Sequence, residues 1–444
     1  MLTCVRVAVL MLLGAHPMLS TAQLVRPLAD DFTTVFTSPD PQRVFAYSPG
    51  IVRLQGGRLI ATLDLGGPGM KDWPGAKGIR YGQPVQGKVY TSDDGGKRWT
   101  HRADFPFMHA RPFVAGAALY VLGQAEDLMI IRSDDGGLTW SAPARLTDGE
   151  DWTQAPCNVH YANGCVYLVM NKRPYARKGW PVSIEAPVLL RGRVGDDLTR
   201  RDSWTFASTL VFRDIVQPDK LDWFGVPFFE SNFDSATFPA PNRAMEPIGW
   251  LETNVVQFTD ANHLWHDPTG RTFHLWSRAH TGGTGYACIA KVVEGGDTPG
   301  TGSMTTMLET VPSGKRMLYV PCPGGQMKFH VLYDEPTGLF WLLSTQATDS
   351  MLRPDRMPAD RYNLPNNERR RLQLHFSKNM VDWCFAGLVA VGPIEKASRH
   401  YASMAIDGDD LVVLSRSGDE RAKTPHDGNL ITCHRVRGFR GLVY

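Results

Sequence analysis

The chain has 444 residues, 43% of them hydrophobic, with 47 Lys and Arg against 45 Asp and Glu. That length and apolar content speak against a disordered chain and allow a large core. The near-cancellation of charge argues against a nucleic-acid footprint or a strongly basic membrane-binding surface, so selectivity must come from a local site.

The opening stretch sets Arg6 before an apolar run and closes on Ser20-Thr21-Ala22, small residues suited to signal-peptidase cleavage. Residues 1–22 are therefore expected to be a signal peptide cut near Ala22, and residues 23–444 a single exported domain, secreted or periplasmic. No later apolar run approaches the roughly 20 residues of a spanning helix, so no membrane insertion of the mature chain is expected.

The segment DDFTTVFT (Asp30–Thr37) reads as a strand that closes a ring. Six hairpins follow, each an apolar run, a Gly, Asn or Asp turn and a second apolar run. They begin at Ser48 (SPGIVRLQGGRLIATLDL), Arg111 (RPFVAGAALYVLG), Asn158 (NVHYANGCVYLVM), Asn254 (NVVQFTDANHLWHDPTGRTFHLWSR), Lys328 (KFHVLYDEPTGLFWLLS) and Ala402 (ASMAIDGDDLVVLSR). After the first two hairpins the phrase S-x-D-x-G-x-x-W appears, in YTSDDGGKRWT (Tyr90–Thr100) and RSDDGGLTWS (Arg132–Ser141), its serines 41 residues apart. Worn versions stand in Leu189–Trp204 and Leu372–Trp383. A period of that length suits a propeller blade. The expected fold is all-β, a six-bladed propeller of four-stranded antiparallel blades, with few exposed strand edges. Pro-, Gly- and aromatic-rich insertions at 66–86, 212–249 and 350–368 read as functional rims.

In each box the serine and aspartate can bond the backbone of a tight turn, the second glycine takes a backbone state open to few residues, and the tryptophan packs between sheets. The boxes are scaffold, far from a central funnel; a calcium loop would need more oxygen ligands. Beyond Cys4, the six cysteines (157, 165, 288, 322, 384 and 433) lack metal-site spacing and read as buried apolar residues, with a disulfide still open after export. No metal or cofactor is expected.

With its repeated boxes the sequence resembles the bacterial neuraminidase repeat, or Asp-box, superfamily, whose best-known members are sialidases. The resemblance implies a Tyr nucleophile activated by a Glu, an Asp acid/base on a first-blade loop, and arginines that hold a substrate carboxylate. ETNVVQFTDANHLWHDPTGRTFHLWSR resembles the fourth blade, making Glu252 the activating carboxylate and Arg278 a carboxylate-binding arginine. RHYASMAIDGDDLVVLS resembles the Tyr-bearing strand, making Tyr401 the nucleophile, and RRRLQLHFS the third-arginine strand, with Arg369 as ligand. In LDLGGPGMKDWPGAKG the acid/base is Asp72, beside an indole and a proline that would desolvate it, with Asp64 as fallback.

The family's first-blade arginine is missing. FAYSPGIVRL has Tyr47 and Ser48 at its place, and Arg53, further along, reads as structural. Either Arg111 or Lys328 compensates, or the sugar differs. The second reading is favoured, with His109, Asn158, His280 and His400 adding neutral donors and acceptors around the funnel. The expected activity is retaining hydrolysis of a terminal acidic sugar, sialic acid or a relative, from a glycan. The alternatives are a polysaccharide lyase acting on uronic acids, and a non-catalytic glycan-binding propeller with Trp73, Trp180 and Trp223 as stacking platforms.

Overall fold

The structure, a computed structural model, describes residues 26–217, 232–358 and 367–444. The expected signal peptide, the Ala22 cleavage site and Trp223 lie outside these residues.

The fold is all-β, a six-bladed propeller of four-stranded antiparallel blades. Blade 1 runs Phe45–Arg53, Leu59–Gly66, Gln83–Ser92 and Thr100–Phe105, and blade 2 runs Met108–Ala115, Ala118–Gln124, Leu128–Ser133 and Ala144–Arg145. Blade 3 has a broken inner strand, Trp152–Thr153 and His160–Ala162, followed by Cys165–Lys172, Ala186–Arg193 and Trp204–Phe206. Blade 4 is Gly249–Val256, Thr272–His280, Tyr286–Glu294 and Met304–Met307, and blade 5 is His330–Asp334, Leu339–Thr345, Arg371–Ser377 and Cys384–Val391. Blade 6 takes Arg399–Asp407, Asp410–Ser417 and Leu430–Val436 from the end of the chain and its outermost strand, Phe32–Thr37, from the beginning.

Each sheet is covered on both faces by its neighbours, so the second strands read as continuous apolar runs; Leu59–Gly66 and Leu339–Thr345 are buried at every position. Trp276 and Trp341 are fully buried between blades, where truncating such a ring costs about 3–5 kcal/mol.

Both boxes join the third strand of a blade to its fourth, on the periphery. Ser92 Oγ accepts from Gly96 N at 2.9 Å and donates to Asp94, whose Oδ1 also takes the N–H groups of Lys97 and Arg98. Ser133, Gly137 and Asp135 repeat this at 2.8 Å, and Trp99 and Trp140 each donate to the carbonyl of the second glycine. Gly96 and Gly137 both have φ 88°, a state closed to most residues.

The insertions carry short regular pieces. Residues 66–86 hold a 3-10 turn (Pro68–Lys71) and an extra strand (Gly78–Arg80) that pairs back on blade 1. Thr237–Ala240 pairs with Arg243–Met245, and Arg243 reaches across to the carbonyl of Met357. Arg53 pairs with Asp407 at 2.5 Å and ties blade 1 to blade 6. All six described cysteines are free thiols, five of them buried. Among the described residues no helix is long and apolar enough to cross a membrane.

Candidate active site

Four inner strands carry the same irregularity. The register slips between Tyr47 and Gly50, Met108 and Arg111, Leu251 and Thr253, and His400 and Ser403. Each slip holds one non-glycine residue at positive φ: Ser48 (30°), His109 (54°), Glu252 (55°) and Tyr401 (49°). Such a backbone state costs about 1–3 kcal/mol, and a bulge re-aims its side chain. All four residues line one cavity of about 460 Å³, together with Gln154 from blade 3.

A second ring stands beside the first. The residue before each bulge pairs with Asp64 in blade 1, Gln124 in blade 2, Arg278 in blade 4 and Arg416 in blade 6. Of these four, Arg416 lines the cavity, and Asp64, Gln124 and Arg278 are buried behind its wall.

Tyr401, Glu252 and Arg278 come together, from blades 6 and 4. Arg278 Nη1 donates to Tyr401 Oη at 2.9 Å and to Glu252 Oε2 at 3.2 Å, while its Nε is held by the Gln326 carbonyl at 2.8 Å. Burial pushes the Tyr401 phenol up to about 12, with the Glu252 charge adding to it and Arg278 and Arg369 opposing. The guanidinium of Arg369 lies 5.4 Å from the Tyr401 ring centroid and is bonded to His400 Nδ1 at 2.9 Å. Burial, with Arg369 and Arg416 beside it, holds the His400 imidazole well below its ordinary range, so it is neutral. The strand begins only at Arg371, so alternation does not reach back to Arg369, and Arg371 turns away toward Glu368 and Thr348.

Several other expected site residues are placed elsewhere. Asp72 caps the 3-10 turn with its side chain 78% exposed and paired to Arg43 at 3.2 Å, so the desolvation expected from Trp73 and Pro74 is absent. Asp64, the fallback, is fully buried, and burial raises its carboxyl to about 7. Arg111 is buried with Nη atoms on the carbonyls of Asn158 and Val169, and it lines a separate cavity with Met404 and Ile406. Asn158 is spent on both backbone groups of Val255. Lys328 is buried against Ser403 Oγ at 3.0 Å and the Ala402 carbonyl, and burial lowers its ammonium to about 8. His280 is tied to the Pro247 carbonyl at 2.7 Å. Arg111 lies on an inner strand and His280 on a second strand, whereas Asn158 and Lys328 fall two residues before theirs, and the side chains of Arg111, Asn158 and Lys328 bridge blades. Trp73 is half-buried and bonded to Gln86, whereas Trp180 stands 43% exposed on the rim.

Sequence reasoning missed most of the cationic lining. Arg80, Arg173, Arg177 and Arg416 line the cavity, against Glu185 and Glu252. Arg416 spans the Tyr47 ring at 4.2 Å and the Tyr401 ring at 5.3 Å, bonds the His426 carbonyl, and keeps its buried Nε without a partner. The signal was present: Leu-Ser-Arg ends at Arg416 as Trp-Ser-Arg ends at Arg278, at the same register of their blades. Arg80 and Tyr81 arrive on the tip of the first-blade insertion. Arg80 bonds Thr153 Oγ1 at 2.8 Å, and Tyr81 Oη takes Arg80 and Arg173 and gives to Asp151 at 3.0 Å. Arg173 is neutralised by buried Glu185 at 2.5 Å, and Arg177 stacks on Tyr81 at 3.5 Å. The cavity can therefore take an anionic, hydrogen-bonding ligand.

No protein-family model matches the chain, and no curated protein does. Among solved structures, an α-L-arabinanase of Penicillium chrysogenum complexed with arabinobiose superposes with a TM-score of 0.50 at 12% identity, over 94% of this chain and all of the other. A sialidase of Trypanosoma rangeli in complex with sialic acid gives 0.51 at 12% identity, over 94% of this chain and 60% of the other. A mutant of the same enzyme displaying trans-sialidase activity gives the same TM-score, identity and coverage. At such identity these likenesses concern the fold, and the chain is a six-bladed propeller related in structure to those of a sialidase and an arabinanase.

Proposed function

We propose that the chain is an exported exo-glycosidase that releases a terminal acidic sugar, sialic acid or a relative, with retention of configuration. The observation that carries the reading is the three-way contact of Tyr401, Glu252 and Arg278 in the wall of an arginine-lined cavity. An anomeric carbon that bears a carboxylate repels an anionic nucleophile, whereas a phenol that loses its proton only as it attacks approaches neutral. Tyr401 is the nucleophile, and Glu252 takes its proton. Arg278, Arg369 and Arg416 surround the phenol from three blades and are the seat of the carboxylate. Arg416, lying over Tyr47, supplies positive charge at the place where the first-blade arginine is missing. The departing oxygen also needs a proton, and Asp72, turned outward against Arg43, does not face it.

The test is a panel of aryl glycosides of sialic, deaminated sialic and uronic acids, with the product anomer followed by NMR. Release of one acidic sugar with retention, lost in Tyr401→Phe while ligand binding persists, is the expected outcome. A product with the ultraviolet absorbance of a conjugated double bond would mean a lyase. Binding without release would mean a lectin-like propeller.

A further inference from the structure

At the wall formed by blades 1 and 2, opposed polar groups have no hydrogen-bond partner among the described residues. Ser48 Oγ is buried without one in a residue that lines the cavity, and Asp64 Oδ2 is buried without one directly behind it. Asp64 Oδ1 is satisfied by the His109 backbone N–H at 2.9 Å, and Oδ2 stands 4.0 Å from His109 Nε2. Leaving a buried carboxyl oxygen unbonded is costly, and the cost asks for a reason.

The tautomer of His109 is set by its other neighbours. Arg80 Nη1 and Gln154 N can only donate, and both converge on the Gln124 carboxamide at 2.8 and 3.2 Å, so the atom they meet is its oxygen. The same oxygen lies 2.8 Å from His109 Nδ1, nearer to it than Arg80 Nη1 at 3.3 Å, so Nδ1 carries the hydrogen and Arg80 Nη1 spends its own on Gln124. Nε2 is left with its lone pair beside Asp64 Oδ2. The side chain of His109 is 20% exposed while that of Asp64 is sealed, so the imidazole is the member of the pair that meets a ligand.

We propose that His109, passing on a proton held by the buried Asp64 carboxyl, is the general acid and base of the glycosidase reaction. The inference rests on the exo-glycosidase reading above. In the first half, the Tyr401 oxygen bonds to the anomeric carbon, the phenol proton passes to Glu252, and the bond to the departing oxygen breaks. That oxygen takes a proton from His109 Nε2, which draws it from the Asp64 carboxyl, leaving a neutral imidazole beside an Asp64 carboxylate; the proton of the attacking water later returns to Asp64 by the same route. In the second half, water bonds to the anomeric carbon and gives its proton to Nε2, while the tyrosyl oxygen leaves and recovers the proton from Glu252. Ser48 Oγ is placed to hydrogen-bond the same departing or attacking oxygen. His109 is the catalytic residue, and Asp64 is a positioning residue that supplies the countercharge.

Below about pH 7 the Asp64 carboxyl holds the proton of the pair, and the imidazole is neutral until it passes that proton on. Burial pushes the Asp64 carboxyl up to about 7, opposed by Arg416 and Arg80, and burial with Arg80, Arg416 and Arg173 holds the imidazole well below its ordinary range. Tyr47, from the neighbouring strand position, is the remaining titratable group facing Asp64.

The experiment compares the wild type with His109→Gln and Asp64→Asn on two glycosides of the same acidic sugar, one with an activated nitrophenyl leaving group and one with an alkyl leaving group. Asparagine keeps the shape of Asp64 and the bond from His109 N, so the fold is retained, checked by the melting temperature. The expected result is a loss in kcat/KM of about 10²–10⁴-fold on the alkyl glycoside and under tenfold on the activated one in both variants. Azide should restore the slow second half in His109→Gln and yield a glycosyl azide. The alkaline fall of kcat/KM should move to lower pH in Asp64→Asn, because the isolated imidazole holds its proton less readily. Equal losses on both glycosides, or no loss on the alkyl one, overturn the inference and leave the glycosidase reading standing. A wild type that releases no sugar overturns the glycosidase reading, and the inference with it.

Discussion

Glu252→Gln separates two ways in which Tyr401 could become a nucleophile. With its phenol near 12, Tyr401 at pH 7 is ionised in roughly one molecule in 10⁵, a deficit of about 7 kcal/mol. Such a group cannot wait to ionise, so its proton must leave as the new carbon–oxygen bond forms. Glutamine keeps the length of the side chain, and its amide oxygen can still accept from Arg278 Nη1, but it neither takes the proton nor carries charge. The Glu252 charge raises the Tyr401 pKa, so its removal alone would make phenolate easier to form and speed the reaction. Loss of a general base does the reverse, by about 10²–10⁴-fold in kcat, or about 3–5 kcal/mol of barrier. The assay is kcat on the best glycoside of the panel, with the melting temperature as a control for folding. A rise, or a fall below tenfold in a folded variant, would refute the assignment of Glu252 as base.

Arg416→Met should raise KM by roughly 10- to 150-fold for the acidic sugar, the worth of one charged hydrogen bond, and leave an amide analogue of that sugar unaffected; steady-state kinetics on the two substrates decide it. Ser133→Ala removes the acceptor of Gly137 N and should lower stability by about 1–2 kcal/mol in urea titrations with kcat unchanged, because the box lies on the outer strands. Lys328 is near 8 when folded and 10.5 when free, so the unfolded chain binds the extra proton between those values. Stability of the wild type relative to Lys328→Met should therefore rise across that window by up to roughly 3 kcal/mol, and chemical denaturation at pH 7 and pH 10 showing a constant difference would deny it.

The architecture was legible because its signals are local. Hairpin turns, apolar runs and the box serine, aspartate, glycine and tryptophan each act within a few residues, and repetition every 41 residues turned local patterns into a ring. Tyr401, Glu252, Arg278 and Arg369 were readable as strand-end residues of a resembling family, and they do meet. Asp72 was misleading because an indole and a proline next to it in sequence do not cover it in space; its partner is Arg43, from the loop before the first inner strand. Arg111, Asn158 and Lys328 stand at or just before inner strands, but their side chains are spent on the neighbouring blade, a long-range contact that strand periodicity does not encode. Arg80 and Tyr81 were hidden in the same way. Their position depends on an insertion crossing to blade 3, a long-range contact with no periodic trace.

The borrowed outer strand of blade 6 gives the molecule a temporal order. Phe32–Thr37 is synthesised long before its partner, Leu430–Val436. Until that late segment arrives, the early strand has an unsatisfied edge open to other chains. The phenol of Tyr401 and the guanidinium of Arg416 sit in the two strands that this clasp secures, so a nascent chain cannot hold a finished cavity. A rearranged chain in which Phe32–Thr37 directly follows Leu430–Val436 would hold the whole of blade 6 in one continuous stretch, and it should refold faster and aggregate less at the same final activity.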